Sequence, residues 1–373
     1  MQTRRITATM LMAASIVVFA HICFYKEYGV YDYYLFSDME YQLLICAAIL
    51  FLSMLGTYFA HFAGYFICGK ISGYELISVE VHGFVFRCKN GKFSIRKYKG
   101  RHGIFVNMSP PEFSDGKFPF ALYNAGAVIA FSIVSLITFF FVLFYFLSDI
   151  PLPALYWFCV FIWFFSHVVL YLLPVDKKSI GVLKRISTLK NSIELRRAYW
   201  QSSMAYAGLL KGTRLREQPD ELFSLPAEGY MSNPVAAEIA WLRMNRLLDE
   251  GSFEEADRLI DFMISDKCAI SDFKKKSAVL EKIYITLINK TVNSSEAEAL
   301  LNDDIRMFMS QNRDFITVIR LEFALALLYY KDIKKASEFR ERFARCLKNE
   351  PYPANIAAEI DLVELAERTA EEK

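Results

Sequence analysis

The sequence predicts a mainly α polytopic membrane protein joined to a soluble helical domain, with a small β-hairpin insert. Three observations predict it. Of the 373 residues, 54% are hydrophobic and only 23% are charged, too apolar for an ordinary soluble chain. The long apolar runs all lie before residue 176. From Ser179 onward apolar residues recur at helical spacing, with few strand signals. The chain therefore divides into a membrane domain, 1–178, and a cytosolic helical domain, 179–373.

Composition excludes a disordered chain, a collagen-like chain and a small disulfide scaffold. A net charge of +2 is too small to imply a nucleic-acid partner. Seven cysteines (Cys23, Cys46, Cys68, Cys88, Cys159, Cys268, Cys346) are scattered and form no C-x-x-C pair. They read as buried reduced thiols rather than a disulfide frame or a cysteine zinc site.

Four apolar stretches, about 6–24, 41–68, 120–147 and 154–175, are long enough to span, since a helix needs about 20 such residues to cross the hydrocarbon core. The first follows Arg4 and Arg5 and is expected to be an uncleaved anchor, because no small-residue cleavage site follows it. Lys and Arg bias sets the orientation. Arg4 and Arg5 place the N-terminus in the cytosol. The loop 25–40 holds Lys26 against Glu27, Asp32, Asp38 and Glu40, so it faces out. Residues 69–119 are rich in Lys and Arg and lie inside. Lys177, Lys178, Lys184 and Arg185 return the chain to the cytosol. The expected product is a multi-pass cell-membrane protein with both termini cytosolic and the lipid bilayer as its first partner.

The insert, about 75–108, is strand-like. Residues 78–86 and 93–98 read as strands, and Asn90-Gly91 between them is a hairpin signal. Residues 103–106 suggest a third strand. The plain reading is a surface hairpin that seals the membrane face. The sharper one is a peptide-binding hairpin, built on Val79, Val81, Asn90 and Gly91, that takes an extended chain by strand addition.

In the soluble half, the helix 237–248 runs to Gly251, and Phe253-Glu254-Glu255-Ala256 opens the next helix. That is how a tetratricopeptide-like hairpin turns. The turn recurs near 327–336 and more weakly near 293–299. The spacing of about 40 residues exceeds the roughly 34 of the strict repeat. A short helical-hairpin array is expected, with a protein partner on its surface; a plain helical bundle is the alternative.

Ionisable groups inside a span are costly, which makes them candidates for function. His61 lies about 10 Å below the cytosolic end of its helix. It shares a face with Tyr65 and Cys68, at i+4 and i+7. His167 lies in the fourth span, and Asp176 follows it. A lone histidine in a membrane helix is also a common hydrogen-bonded packing residue.

The stretch from His61-Phe62-Ala63-Gly64-Tyr65 through Ser78 resembles the site-2 protease family of intramembrane zinc metalloproteases. So do Met108-Ser109-Pro110-Pro111, Asp115-Gly116-Lys117-Phe118-Pro119 and Tyr123-Asn124-Ala125-Gly126, the last of which makes Asn124 a candidate. These are similar to a bacterial branch with a cytosolic helical tail, as are Phe223-Ser224-Leu225-Pro226 and Asn233-Pro234. In that family a helix carries H-E-x-x-H: two His one turn apart hold zinc, and the Glu is the general base on a metal-bound water. A third ligand is an Asp from a later span.

Matched to that pattern, His61 holds the first ligand position and Asp176 the third. Phe62 stands where the base belongs, and Tyr65 where the second His belongs. Phenylalanine neither ligates metal nor moves a proton. Tyrosine ligates poorly, because its phenol must lose a proton with pKa about 10. Loss of the base commonly costs about 10²–10⁴ in rate. His167 and Cys68 are the residues left to complete a rearranged centre, but Cys68 is about 10 Å along the helix from His61.

The resemblance and its departures together imply a pseudoprotease. It would have no cofactor and would bind or regulate a membrane-anchored peptide or protein. Two alternatives remain: an active metalloprotease with zinc on His61, Asp176 and a further ligand, or a structural subunit of a membrane transport assembly.

Overall fold

The computed structural model describes residues 15–16, 19–20, 22–23, 35–89, 92–97, 104–172, 181–289, 294–350 and 353–372. The chain is mainly helical, with a small antiparallel sheet, and three helices among the described residues are long and apolar enough to cross a membrane. By contact it divides into two compact units: Met1–Tyr74 with Pro119–Thr188, and Glu75–Phe118 with Leu189–Lys373.

The first unit holds the three long apolar helices. They are α1 (Leu35–Ile71), α2 (Ala121–Leu147) and α3 (Pro151–Leu172). Their apolar segments, Leu44–Ile71, Ala121–Leu147 and Pro153–Leu172, match three of the expected spans to within a few residues. Most of the expected first span lies outside the described residues. Of those described there, Ile16, Phe19, Ala20 and Cys23 pack with Cys46, Leu155 and Cys159.

The helices meet where the sequence is small. A Cβ added at Gly126 of α2 would lie 2.6 Å from the carbonyl oxygen of Gly64 on α1 and 3.1 Å from the Tyr65 Cα. The two backbones therefore touch, as small residues allow in apolar helix pairs. Trp163 Nε1 donates to Thr57 Oγ1 at 2.7 Å, tying α3 to α1.

The second unit begins with the insert, which has four strands: β1 (Glu75–Val81), β2 (Phe84–Lys89), β3 (Lys92–Lys97) and β4 (Ile104–Ser109). Their order is β3-β2-β1-β4, all antiparallel. The sequence reading of one strand over 78–86 is thus corrected to two. Val81 pairs with Phe84 across His82-Gly83, whose φ angles are +45° and +82°. Two positive φ angles in a two-residue loop are the hairpin turn whose twist matches the strands. Gly83→Val is expected to cost about 1–2 kcal/mol, the penalty for a side chain in the left-handed region. Thermal unfolding of the full chain in detergent checks it; an unchanged midpoint would contradict the turn.

The insert belongs by contact with the C-terminal helices, not with the membrane domain where the sequence reading put it. The reason is a set of bonds to α5 (Ile193–Lys211). Trp200 Nε1 donates to the Pro111 carbonyl at 2.9 Å, the Arg87 guanidinium donates to the Leu210 carbonyl at 2.5 Å, and Ser109 contacts Met204. Ser78, Glu80 and Val85 are buried on one sheet face.

The helices that follow are α4 (Val182–Asn191), α5, α6 (Pro234–Glu250), α7 (Phe253–Ile264), α8 (Asp272–Ile288), α9 (Ser294–Leu300), α10 (Asp303–Gln311), α11 (Ile316–Ala324), α12 (Ile333–Asn349) and α13 (Pro353–Glu371). Side chains cap many of them. Ser192, Asn233, Ser271, Asn302 and Asp332 each accept a first-turn N–H. The expected turn after α6 is present: Gly251 adopts φ +78°, its N–H reaches the carbonyls of Leu247 and Leu248, and α7 starts at Phe253. Between α11 and α12 the chain makes one π-helical turn, Leu325–Tyr329.

Candidate functional site

The first unit brings two of the sequence candidates together. His61 is buried on α1, and its Nδ1 is hydrogen-bonded to the Tyr171 hydroxyl of α3 at 2.8 Å. Its ring lies 4.9 Å from Tyr65, 5.9 Å from Tyr171 and 6.5 Å from Phe131 of α2. His167 approaches the same Phe131, with ring centroids 5.5 Å apart. The two imidazoles thus share one aromatic neighbour.

His167 Nδ1 lies 2.9 Å from the Trp163 carbonyl, one turn back on its own helix. A carbonyl only accepts, so Nδ1 must carry a proton there, and in the neutral ring Nε2 is the free acceptor.

Helix periodicity explains the placement. Thr57, His61 and Tyr65 stand at i, i+4 and i+8 on α1. Trp163, His167 and Tyr171 do the same on α3. Thr57 bonds Trp163 and His61 bonds Tyr171, so the two stripes face each other and α1 and α3 run in the same sense. Phe131 of α2 also packs on Phe164, at 6.0 Å, and on Tyr171, at 5.5 Å. Phe62 stacks on Phe66 at 5.4 Å, one position round the helix from His61. Tyr65 makes an edge contact with Tyr123 at 5.4 Å, and Tyr123 stacks on Tyr74 at 4.3 Å. An aromatic chain therefore runs from His61 to the residue just before β1.

The other candidates fall elsewhere. Cys68 is a buried free thiol. Asn124 is buried and donates to the Phe120 carbonyl at 2.8 Å, which closes the first turn of α2. Asp176, Asn90 and Gly91 lie outside the described residues. Val79 and Val81 sit in β1, an inner strand paired on both sides. Strand addition at those residues is therefore corrected: among the described strands the outer two are β3 and β4, because the unforeseen His82-Gly83 turn put β2 against β1.

The described donors do not fit a zinc centre. Such a site needs three or more His, Cys, Asp or Glu side chains converging within about 2.0–2.3 Å of one point. No such group occurs among the described residues. Among the described residues, the neighbours of His61 are aromatic rings and a phenol. What this arrangement can do is hold helices together and offer a polar, hydrogen-bonding spot within an apolar wall. An open cleft of about 360 Å³ in the second unit, lined by Leu225, Met231, Leu247, Leu259, Phe262, Arg243 and Arg258 among others, is remote in sequence from these histidines and gathers no nucleophile with a base.

Sequence reasoning missed Tyr171 and Phe131. The signal for Tyr171 was present, because it stands one turn beyond His167 on the stripe that begins at Trp163. Phe131 carried no signal, as one apolar residue in an apolar span. The chain matches no family model, no curated protein and no solved structure.

Proposed function

We propose that the protein is a multi-pass membrane protein with site-2 protease-like spans that binds or regulates a membrane-anchored peptide or protein without cutting it. The observation that carries this reading is the environment of His61. The residue at the first ligand position of the resembled motif is hydrogen-bonded to Tyr171 and walled by Tyr65 and Phe131. Neither neighbour brings a carboxylate to move a proton. Phe62, in the place of the base, stacks on Phe66.

In this reading four spans place both termini in the cytosol, and the C-terminal helices form a hairpin-repeat tail that docks a partner. The apolar length of α1, α2 and α3 supports the spans, and the Gly251 turn between α6 and α7 supports the tail. An atypical zinc protease is the second reading. It is favoured by one observation, that His61 and His167 lie against the same ring.

Metal content separates the two. Mass spectrometry of the detergent-purified chain, grown with zinc, is expected to show no zinc above a His61→Ala control. Near-stoichiometric zinc that is lost in the control would overturn the binding reading.

A further inference from the structure

The last helix of the second unit, α13, does not pack on its chain neighbour alone. It touches α5, α6, α8 and α11. Within the run α6 to α11, the helices α6, α8 and α11 all meet this one segment. They do so through an apolar cluster that includes Leu362, Val363 and Ala366, and through charge. Arg320 of α11 is 1% exposed. Its Nη2 donates to both carboxylate oxygens of Glu281 on α8, each at 2.7 Å, and its Nε donates to Glu359 of α13 at 2.7 Å. Its guanidinium lies 4.4 Å from the centre of the Tyr284 ring, and the Tyr284 hydroxyl donates to the Leu362 carbonyl of α13.

On the other side, Arg214 is bound to Asp249 of α6 and donates to Asp361 of α13 at 2.7 Å. Arg216 lies 3.5 Å from the same carboxylate. Residues two apart on a helix point about 200° from each other. Glu359 and Asp361 therefore reach opposite walls, one arginine on each. Between them Val363 and Ala366 are fully buried and Leu362 nearly so.

We propose that α6, α8 and α11 form a docking groove for an acidic amphipathic helix, and that α13 is its resident occupant. A partner helix with two carboxylates at i and i+2, over a narrow face of small apolar residues, competes with α13 for Arg320 and Arg214. Two features favour an exchangeable contact. Apart from Leu362 and Val363, the fully or nearly buried apolar residues of α13 are alanines, Ala354 and Ala366. Arg320 also keeps its Glu281 partner when Glu359 leaves, and its Nη1 is buried with no partner even with α13 in place. Its donors are not saturated by the resident helix. The inference stands whether or not the membrane unit cleaves anything.

The test uses the full chain in detergent and a labelled synthetic peptide of residues 353–371. The variant E359Q/D361N weakens the resident helix. The peptide is expected to bind this variant at least about 10-fold more tightly than the wild type, and a peptide carrying the same two changes is expected to bind neither. In hydrogen exchange on the wild-type chain, α13 amides are expected to exchange ahead of those of α8 and α11. If α13 exchanges together with α8 and α11, it is a fixed part of the core and the proposal fails. If the folded variant does not bind the peptide, the proposal fails as well. Should the variant not fold, the wild-type exchange experiment decides alone.

Discussion

Glu281→Ala is expected to destabilise the C-terminal unit by about 3–5 kcal/mol, because it leaves a buried guanidinium without its main partner. Arg320 is among the most enclosed large side chains in the protein. Burial works against its charge, but Glu281 and Glu359 outweigh that and raise its pKa, so the charge persists in the fold. With Glu281 gone, only the single bond to Glu359 and the Tyr284 ring remain to offset desolvation. At about 2–4 °C per kcal/mol for a unit of this size, the unfolding midpoint should fall by roughly 10 °C. Circular dichroism on heating the full chain measures it. Replacing the whole cluster (Arg320→Met, Glu281→Leu, Glu359→Leu) is expected to recover most of the loss, since removing all the charges removes the desolvation cost too. A midpoint for Glu281→Ala equal to wild type would show that water reaches Arg320 and that the network is not buried.

The same network shows where the sequence stops being legible. The three long apolar helices could be read directly, because about 20 apolar residues in a row have few other uses. The Gly251 turn could be read because a left-handed residue after a helix favours glycine, and Phe253-Glu254-Glu255 then opens a new one. The His82-Gly83 turn was missed because the strand pattern runs through it and histidine is not a usual turn marker. Asn90-Gly91 was the stronger signal nearby, and β2 and β3 do pair on either side of it, Lys89 with Lys92. The insert's attachment to α5 could not be read, because Trp200 and Pro111 lie far apart in sequence and neither residue type announces the other. The course of α13 was hidden for the same reason: Asp361 finds Arg214 across 147 residues, and any acidic helix looks solvent-facing until its partners are placed.

In the candidate site, residue type was legible and neighbourhood was not. His61 stood out as an ionisable group in an apolar run. Its bond to Tyr171 depends on the register of two helices separated in sequence by α2, and that register is set by backbone contact rather than by any motif.

That contact gives the other large expected effect. Gly126→Val should cost about 3 kcal/mol, the upper end for overpacking a tight interior. A flexible neighbour can yield to a new methyl group, but the atoms that would meet it here are the carbonyl carbon and oxygen of Gly64 and the Tyr65 Cα. Backbone cannot rotate away, so α1 and α2 must separate along this crossing. His61 and Tyr65 lie on the α1 side of it, within one turn of Gly64. Phe131 lies on the α2 side, little more than one turn beyond Gly126. Separation would therefore open the wall around the imidazole as well as destabilise the unit. Gly56→Ala, on α1, is the control, because its new Cβ would sit 3.6 Å from the Phe164 ring edge, an ordinary contact. Denaturant titration of the purified chain should show Gly126→Val unfolding well before wild type and Gly56→Ala close to it. If the two glycine variants unfold alike, the α1–α2 crossing is looser than the Gly64–Gly126 contact requires, and the register that joins His61 to Tyr171 must be set elsewhere.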